Sequence, residues 1–180
     1  MSSEESLVRR AIEGDQLAFT QLYDEHFDKI YRYIYFRVGN QAEAEDLTQE
    51  VFFKALGAIG SYKWRSTPFA AWLFRIAHNQ VIDYFRRQMR QKTVTLDEEI
   101  AVNGIDPVDV AERELEIQEV TEALAQISEA QRETFSLRFV AGLSIAEVAK
   151  TLGKSEGAVK ALQHNATMAI RKIILEKGNG

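Results

Sequence analysis

Cysteine is missing from all 180 residues, so neither a disulfide framework nor a thiolate metal site is available. Histidine is scarce. His26, His78 and His164 fall in separate predicted elements, and no Glu-x-x-His pair of the helix-bundle type occurs, so no metal and no cofactor are expected. Two prolines and ten glycines are too few for a β-rich or disordered chain and favour helix. No apolar run approaches the length of a membrane span, and the opening MSSEESLVRR is polar and acidic rather than signal-like. A cytoplasmic protein without membrane insertion is the expectation. A Ser/His/Asp set, a phosphate-binding glycine loop and an H-E-x-x-H motif are all lacking, which points away from an enzyme.

What is present is charge, unevenly placed. The net charge of −5 argues at first against nucleic acid, because phosphate binding is driven by Lys and Arg displacing counterions. From Lys63 to Lys92, however, seven cations face the single acid Asp83, and from Asp97 to Glu122 ten acids face Arg113 alone. These segments carry net charges of +6 and −9. Opposite signs are segregated along the chain.

The basic segment also holds the aromatic residues of greatest interest, in SYKWRSTPFAAWLFRIAHNQVIDYFRRQMR from Ser61 to Arg90. Thr67 is placed to cap a helix and Pro68 to occupy its first position. Phe69, Trp72, Leu73, Ile76, Ile82 and Phe85 recur at three- and four-residue steps as an inward face. Asn79, Asp83, Arg86, Arg87 and Arg90 fall on the other face. Upstream, Tyr62, Lys63, Trp64, Arg65 and Ser66 form a short loop. Rings beside cations suit unpaired bases, because stacking is worth about 1–3 kcal/mol per base. The competing reading packs Tyr62 and Trp64 beneath the loop and leaves the arginines as a solvated face.

Taken in order, the chain predicts a helix from Ser3 to Glu13 with Leu7, Val8, Ala11 and Ile12 inward, ended by Gly14. Asp15 caps a second helix running to Val38, with Leu17, Leu22, Phe27, Ile30, Tyr31, Ile34 and Val38 as its buried stripe. A third, from Gln41 to Ala58, buries Leu47, Val51, Leu56 and Ile59 and exposes Glu43, Asp46, Gln49, Glu50 and Lys54. Phe52 and Phe53 are adjacent on it and cannot both face one core, so one belongs to an interface. Between Gln91 and Asp106 the apolar periodicity lapses into a linker. Asp106-Pro107 opens a further helix with Ile117, Val120, Leu124 and Ile127 inward. Ser128 and Gln131 have capping-box spacing for the next, which runs to Val140 and stops at Gly142.

The last third holds the clearest motif. Ser144 to Leu152 (SIAEVAKTL) is a short capped helix, Gly153 a turn, and Ser155 the cap of a longer helix with Val159, Leu162, Ala166, Ile170 and Ile173 inward. Two helices about a tight turn, with polar side chains early in the second, form the helix-turn-helix that seats its second helix in a major groove. The fold class is therefore all-α: two small helical domains joined by an acidic linker, the second a helix-turn-helix DNA-binding domain. Two functions fit. A regulator of this kind binds duplex DNA directly as a dimer, whereas a factor working with a larger machine binds DNA poorly alone.

AEDLTQEVFFKAL, FAAWLFRIAHNQVIDYFRR and FVAGLSIAEVAKTLGKSEGAVK, in that order, resemble the extracytoplasmic-function (ECF) group of sigma-70 factors, from about Leu7 to Ile174. The resemblance implies a region 2 domain at residues 1–91, an acidic linker at 92–112 and a region 4 domain at 113–180. It implies core RNA polymerase, promoter DNA and an anti-sigma factor as partners. Asp46, Leu47, Gln49, Glu50 and Phe53 would bind the polymerase. Tyr62, Lys63, Trp64, Arg65, Ser66, Asn79, Asp83, Arg86 and Arg87 would read and open the minus-ten element. Ser155, Glu156, Ala158, Lys160, Gln163, His164, Thr167 and Arg171 would read the minus-thirty-five element. The acidic linker would imitate nucleic acid in the polymerase channel. The chain departs from the pattern where Leu162, Asn165 and Thr167 stand at positions commonly basic, which implies weaker phosphate anchoring there, and where Ser128-Glu129 replaces a usual proline.

Overall fold

The computed structural model describes residues 3–64, 67–94 and 119–180, and no strand occurs among them. Helix α1 covers Ser3–Ile12 and α2 Gln16–Val38. Asp15 caps α2 by accepting from the Leu17 and Ala18 N–H groups, as the sequence predicts. Gly39 ends it at φ 75°, a left-handed conformation that glycine adopts without a Cβ clash. Helix α3 covers Gln41–Ala58 under the Asn40 cap, and a 3₁₀ turn at Ile59–Ser61 follows. Helix α4 covers Phe69–Val94, three residues past the expected domain end.

The predicted linker and the helix start at Asp106-Pro107 lie outside the described residues. A helix seen at 119–124, α5, leads to α6 at Glu129–Phe135. Ser128 and Gln131 form the expected capping box, Oγ accepting from one backbone N–H and Oε1 from the other. The chain then widens into a π turn at Ser136–Val140, where regular helix is predicted. Helices α7 (Ile145–Leu152) and α8 (Glu156–Gly178) complete the chain, joined at Gly153 with φ 65°.

Leu22, Ile30, Ile34, Val51, Leu73 and Val81 form the heart of the first four helices. Two predicted core residues do not belong there: Leu17 and Leu56 are exposed. Leu17 sits in the first turn of α2 on the side turned away from the bundle, while its neighbour Ala18 is fully buried. Ala18, His26, Tyr33 and Arg37 fill the buried face of α2.

The core does not stop at the second domain. Leu137, Val148 and Val159 are fully buried in continuity with the first-domain cluster, and burying each such side chain stabilises the arrangement by about 1.5–3 kcal/mol. The π turn lies against α2 and α7 against α4, with the Thr151 hydroxyl 3.4 Å from the Ala71 carbonyl. Ala123, Leu124, Ile127, Ala166 and Ile170 make a smaller core between α5 and α8.

Across the junction lies a buried polar cluster. Glu133 of α6, 3% exposed, accepts from the Tyr33 hydroxyl at 2.8 Å and from Arg37 Nε at 3.2 Å, both on α2. His78 Nδ1 of α4 lies 3.1 Å from Oε1, the oxygen that Arg37 also meets. Arg37 also pairs with Glu129. Burial alone would push the Glu133 carboxyl up. The bond to His78 and the charge of Arg37 outweigh it and hold the group below the usual glutamate range.

Candidate nucleic-acid interface

On α4 the predicted outward face is outward. Asn79, Asp83, Arg86 and Arg87 are exposed, a consequence of the 3.6-residue period that turns Leu73, Phe74, Ala77 and Val81 into the core. Asp83 and Arg86 stand 3.8 Å apart, one turn from each other. Asn79, Asp83 and Arg86 line an open groove against Lys54 and Ala58 of α3. At its base lies Gln80, buried and not singled out by the sequence. With its amide nitrogen turned to Glu50 Oε2 at 2.8 Å, its oxygen accepts from Lys54 Nζ, so it ties α3 to α4. Gln80 immediately follows Asn79, but a single glutamine inside a polar face carries no local sign of burial.

The loop before α4 differs from the expectation of exposed rings. Tyr62 is 6% exposed, packed edge-on to Phe69 and tilted against Trp72, and its hydroxyl donates to the Thr67 carbonyl. Burial, and secondarily the Glu4 charge, pushes its pKa up to about 12. The Tyr62 ring is therefore part of the first-domain core and offers no free face for a base in this arrangement. Trp64 is half-buried against the same core, and Lys63 is exposed. Arg65 and Ser66 lie outside the described residues. The reason for the inward turn is local: Phe69 and Trp72 at the start of α4 present an apolar bed, and Thr67 supplies the acceptor that a buried phenol requires.

On α3, Asp46, Gln49, Glu50 and Phe53 share one exposed face, with Phe53 78% exposed and Phe52 buried, so the adjacent pair divides as predicted. Leu47 does not join that face. It is buried with Val51 and Ala55 along the stripe that meets the core, and a partner cannot reach it. Leu56 lies exposed beyond Phe53 instead and extends the apolar part of the surface. Gln49 donates to the Tyr23 hydroxyl at 3.0 Å.

In the helix-turn-helix, Ser144 caps α7 through the Glu147 N–H and Ser155 caps α8 through the Ala158 N–H, both at 3.1 Å. Ser155, Glu156, Ala158, Lys160, His164 and Arg171 are exposed. Gln163 and Thr167 are half-buried, and the Thr167 hydroxyl donates back to the Gln163 carbonyl at 2.8 Å. That bond engages the Thr167 hydroxyl proton within the helix. Lys154 and Lys172 are exposed at the two ends of the same helical region.

One metal-type grouping occurs among the described residues. Ligand atoms of Glu4, Glu25 and His26 lie within 4.8 Å of one another. His26 Nε2 is 3.0 Å from Glu4, and its ring packs edge-on to Phe69. Burial lowers the His26 pKa despite the nearby carboxylates. A neutral imidazole donating to Glu4 accounts for the contact as a tie between α1 and α2. No helix among the described residues is long and apolar enough to cross a membrane.

Comparison with known proteins follows these two regions. Residues 22–91 match the family Sigma-70 region 2 and residues 123–172 match Sigma-70, region 4. The chain is similar to the ECF RNA polymerase sigma factor BldN of Streptomyces coelicolor, 41% identical over 170 residues, which cover 93% of this chain and 64% of that protein. It thus spans just under two thirds of the length of that relative. It is also similar to the ECF RNA polymerase sigma factor SigX of Bacillus subtilis, 34% identical over 86% of this chain and 82% of SigX. Among solved structures, the sigma factor RpoE of Bartonella quintana, in complex with the anti-sigma factor NepR, shares the fold. Its TM-score is 0.74 at 24% identity, covering 87% of this chain and 96% of that one. By two family matches and by relatives above 30% identity across most of its length, the chain belongs to the ECF group of the sigma-70 family.

Proposed function

We propose that the chain is a transcription initiation factor that binds core RNA polymerase, recognises minus-ten and minus-thirty-five promoter elements and promotes their opening. One observation carries the reading. A face with Asn79, Asp83, Arg86 and Arg87 outward and a capped helix-turn-helix occur in one chain of this family. Asn79 both donates and accepts, as recognition of a base edge requires. Arg86 and Arg87 track phosphates, and Lys160, Gln163 and His164 face the major groove from α8. The α3 face of Asp46, Gln49, Glu50 and Phe53, extended by Leu56, takes the polymerase. Domains at 1–91 and 113–180 divide the two reading tasks, and the linker at 92–112 lies between them.

The protein does no covalent chemistry of its own and works in the cytoplasm, where the polymerase is. Tyr62 acts here by shaping the loop, with Lys63, Trp64, Arg65 and Ser66 supplying contacts to the opened strand. The relative solved with NepR supports an anti-sigma factor as a further partner.

Co-purification with core polymerase, followed by run-off transcription from a candidate promoter, tests the reading. Promoter binding is expected to be weak for the chain alone, given its net charge of −5, and strong with core enzyme. A dimer shifting a palindromic duplex without polymerase would establish the direct-regulator reading instead. Asn79→Ala is expected to reduce open-complex formation by about tenfold or more, since one good base contact is worth about 1–3 kcal/mol. Its effect on closed-complex binding should be much smaller, as measured by permanganate footprinting beside mobility shift.

A further inference from the structure

Glu133 is an acid that neither DNA reading nor polymerase binding uses, yet it is buried and fully engaged. Around it stand Tyr33 and Arg37 of α2, His78 of α4, and Glu129 and Arg132 of its own helix. The two donors, Tyr33 and Arg37, and the nearby His78 all belong to the first domain, and the acceptor belongs to the second. Arg37 is equally enclosed, with Glu133 and Glu129 as its carboxylate partners. Removing one member of such a buried set leaves a charge with no compensation, which is far more destabilising than the pair itself is stabilising.

The same arrangement is too short for a promoter. A domain of about 90 residues has a radius of gyration of about 12 Å, so two in contact span about 60 Å at most. Elements named for positions ten and thirty-five are about 25 base pairs apart, or about 85 Å at 3.4 Å per pair. Helix α7 lies directly on α4 here, so both elements cannot be read until that contact parts.

We infer that Glu133, clasped by Tyr33, Arg37 and His78, is an interdomain latch that holds the free factor closed and must be released for simultaneous reading of both promoter elements. The promoter half of this statement rests on the proposed function; the closed state of the free protein does not. Polymerase and promoter would release the latch by binding only the separated domains, which shifts the population toward them.

The cysteine-free sequence makes the test direct. Cysteines introduced at the exposed Glu13 and Glu176 carry a donor and an acceptor dye in the full chain, and single-molecule energy transfer reads the domain separation. The free protein is expected to show a high-transfer population, converted to low transfer by core polymerase with promoter DNA. Glu133→Gln is expected to raise the low-transfer fraction of the free protein at least about tenfold. Arg37→Met, which leaves the second domain untouched, is expected to do the same, and circular dichroism verifies that each variant stays helical. A free wild-type protein already at low transfer would overturn the inference, as would helical variants that keep wild-type transfer. Failure to bind polymerase would remove the proposed function while leaving the free-protein populations, and with them the latch, intact.

Discussion

The Tyr62 hydroxyl and the Glu133 carboxylate each make a specific bond that decides where a whole side chain goes. Tyr62→Phe removes the donor to the Thr67 carbonyl and keeps the ring against Phe69 and Trp72. The expected loss is about 1 kcal/mol in urea unfolding, with no gain in single-strand binding. For Glu133 the folded group titrates below its usual range, so it stabilises the closed arrangement at neutral pH. That contribution disappears as pH falls through and below the ordinary glutamate range. Energy transfer in the labelled chain should accordingly drop on acidification in wild type and stay flat in Glu133→Gln. The groups facing it are Tyr33, Arg37, His78, Glu129 and Arg132. The inward Tyr62 is one of the two readings the sequence allows, and the sequence does not choose between them because a tyrosine between Gly60 and Thr67 belongs to no periodic stripe. The Glu133 cluster is not legible there at all, since Glu133 meets Tyr33 and Arg37 across about a hundred residues of chain.

At the scale of elements, caps and stops were the most readable feature. Asp15, Ser128, Ser144 and Ser155 all cap as expected, because each signal lies within three residues of the N–H it satisfies. The split of Phe52 inward and Phe53 outward follows equally from a 100° step between neighbours on a helix. Leu47 is buried as its periodicity predicts, and only the polymerase contact implied by the resemblance is closed to it. Leu17 and Leu56, expected in the core, lie outside, because apolar character says nothing about which helix comes close. Phe53→Ser should therefore weaken polymerase capture without lowering the melting temperature, whereas Leu47→Ala should lower unfolding stability by about 2–5 kcal/mol. At Gly153, φ 65° is a conformation that a Cβ disfavours. Gly153→Ala is expected to destabilise the α7–α8 corner by about 1–2 kcal/mol, seen as earlier unfolding and weaker minus-thirty-five binding.

Across the whole molecule, segregated charge and all-helical architecture could be read in advance, and family membership confirms the order of the two regions. Their mutual contact could not be, since nothing in the periodicity of α4 distinguishes a face covered by α2 from one covered by α7. The π turn at Ser136–Val140 joins the latch helix to the promoter-facing pair. A single-residue deletion there would restore an ordinary helical path and swing everything downstream by about 100°. Every letter of α8 would survive, yet His164 and Lys160 would point elsewhere. Insertions and deletions in these five residues therefore act as a dial on binding orientation, a kind of variation that comparing contact residues alone would miss.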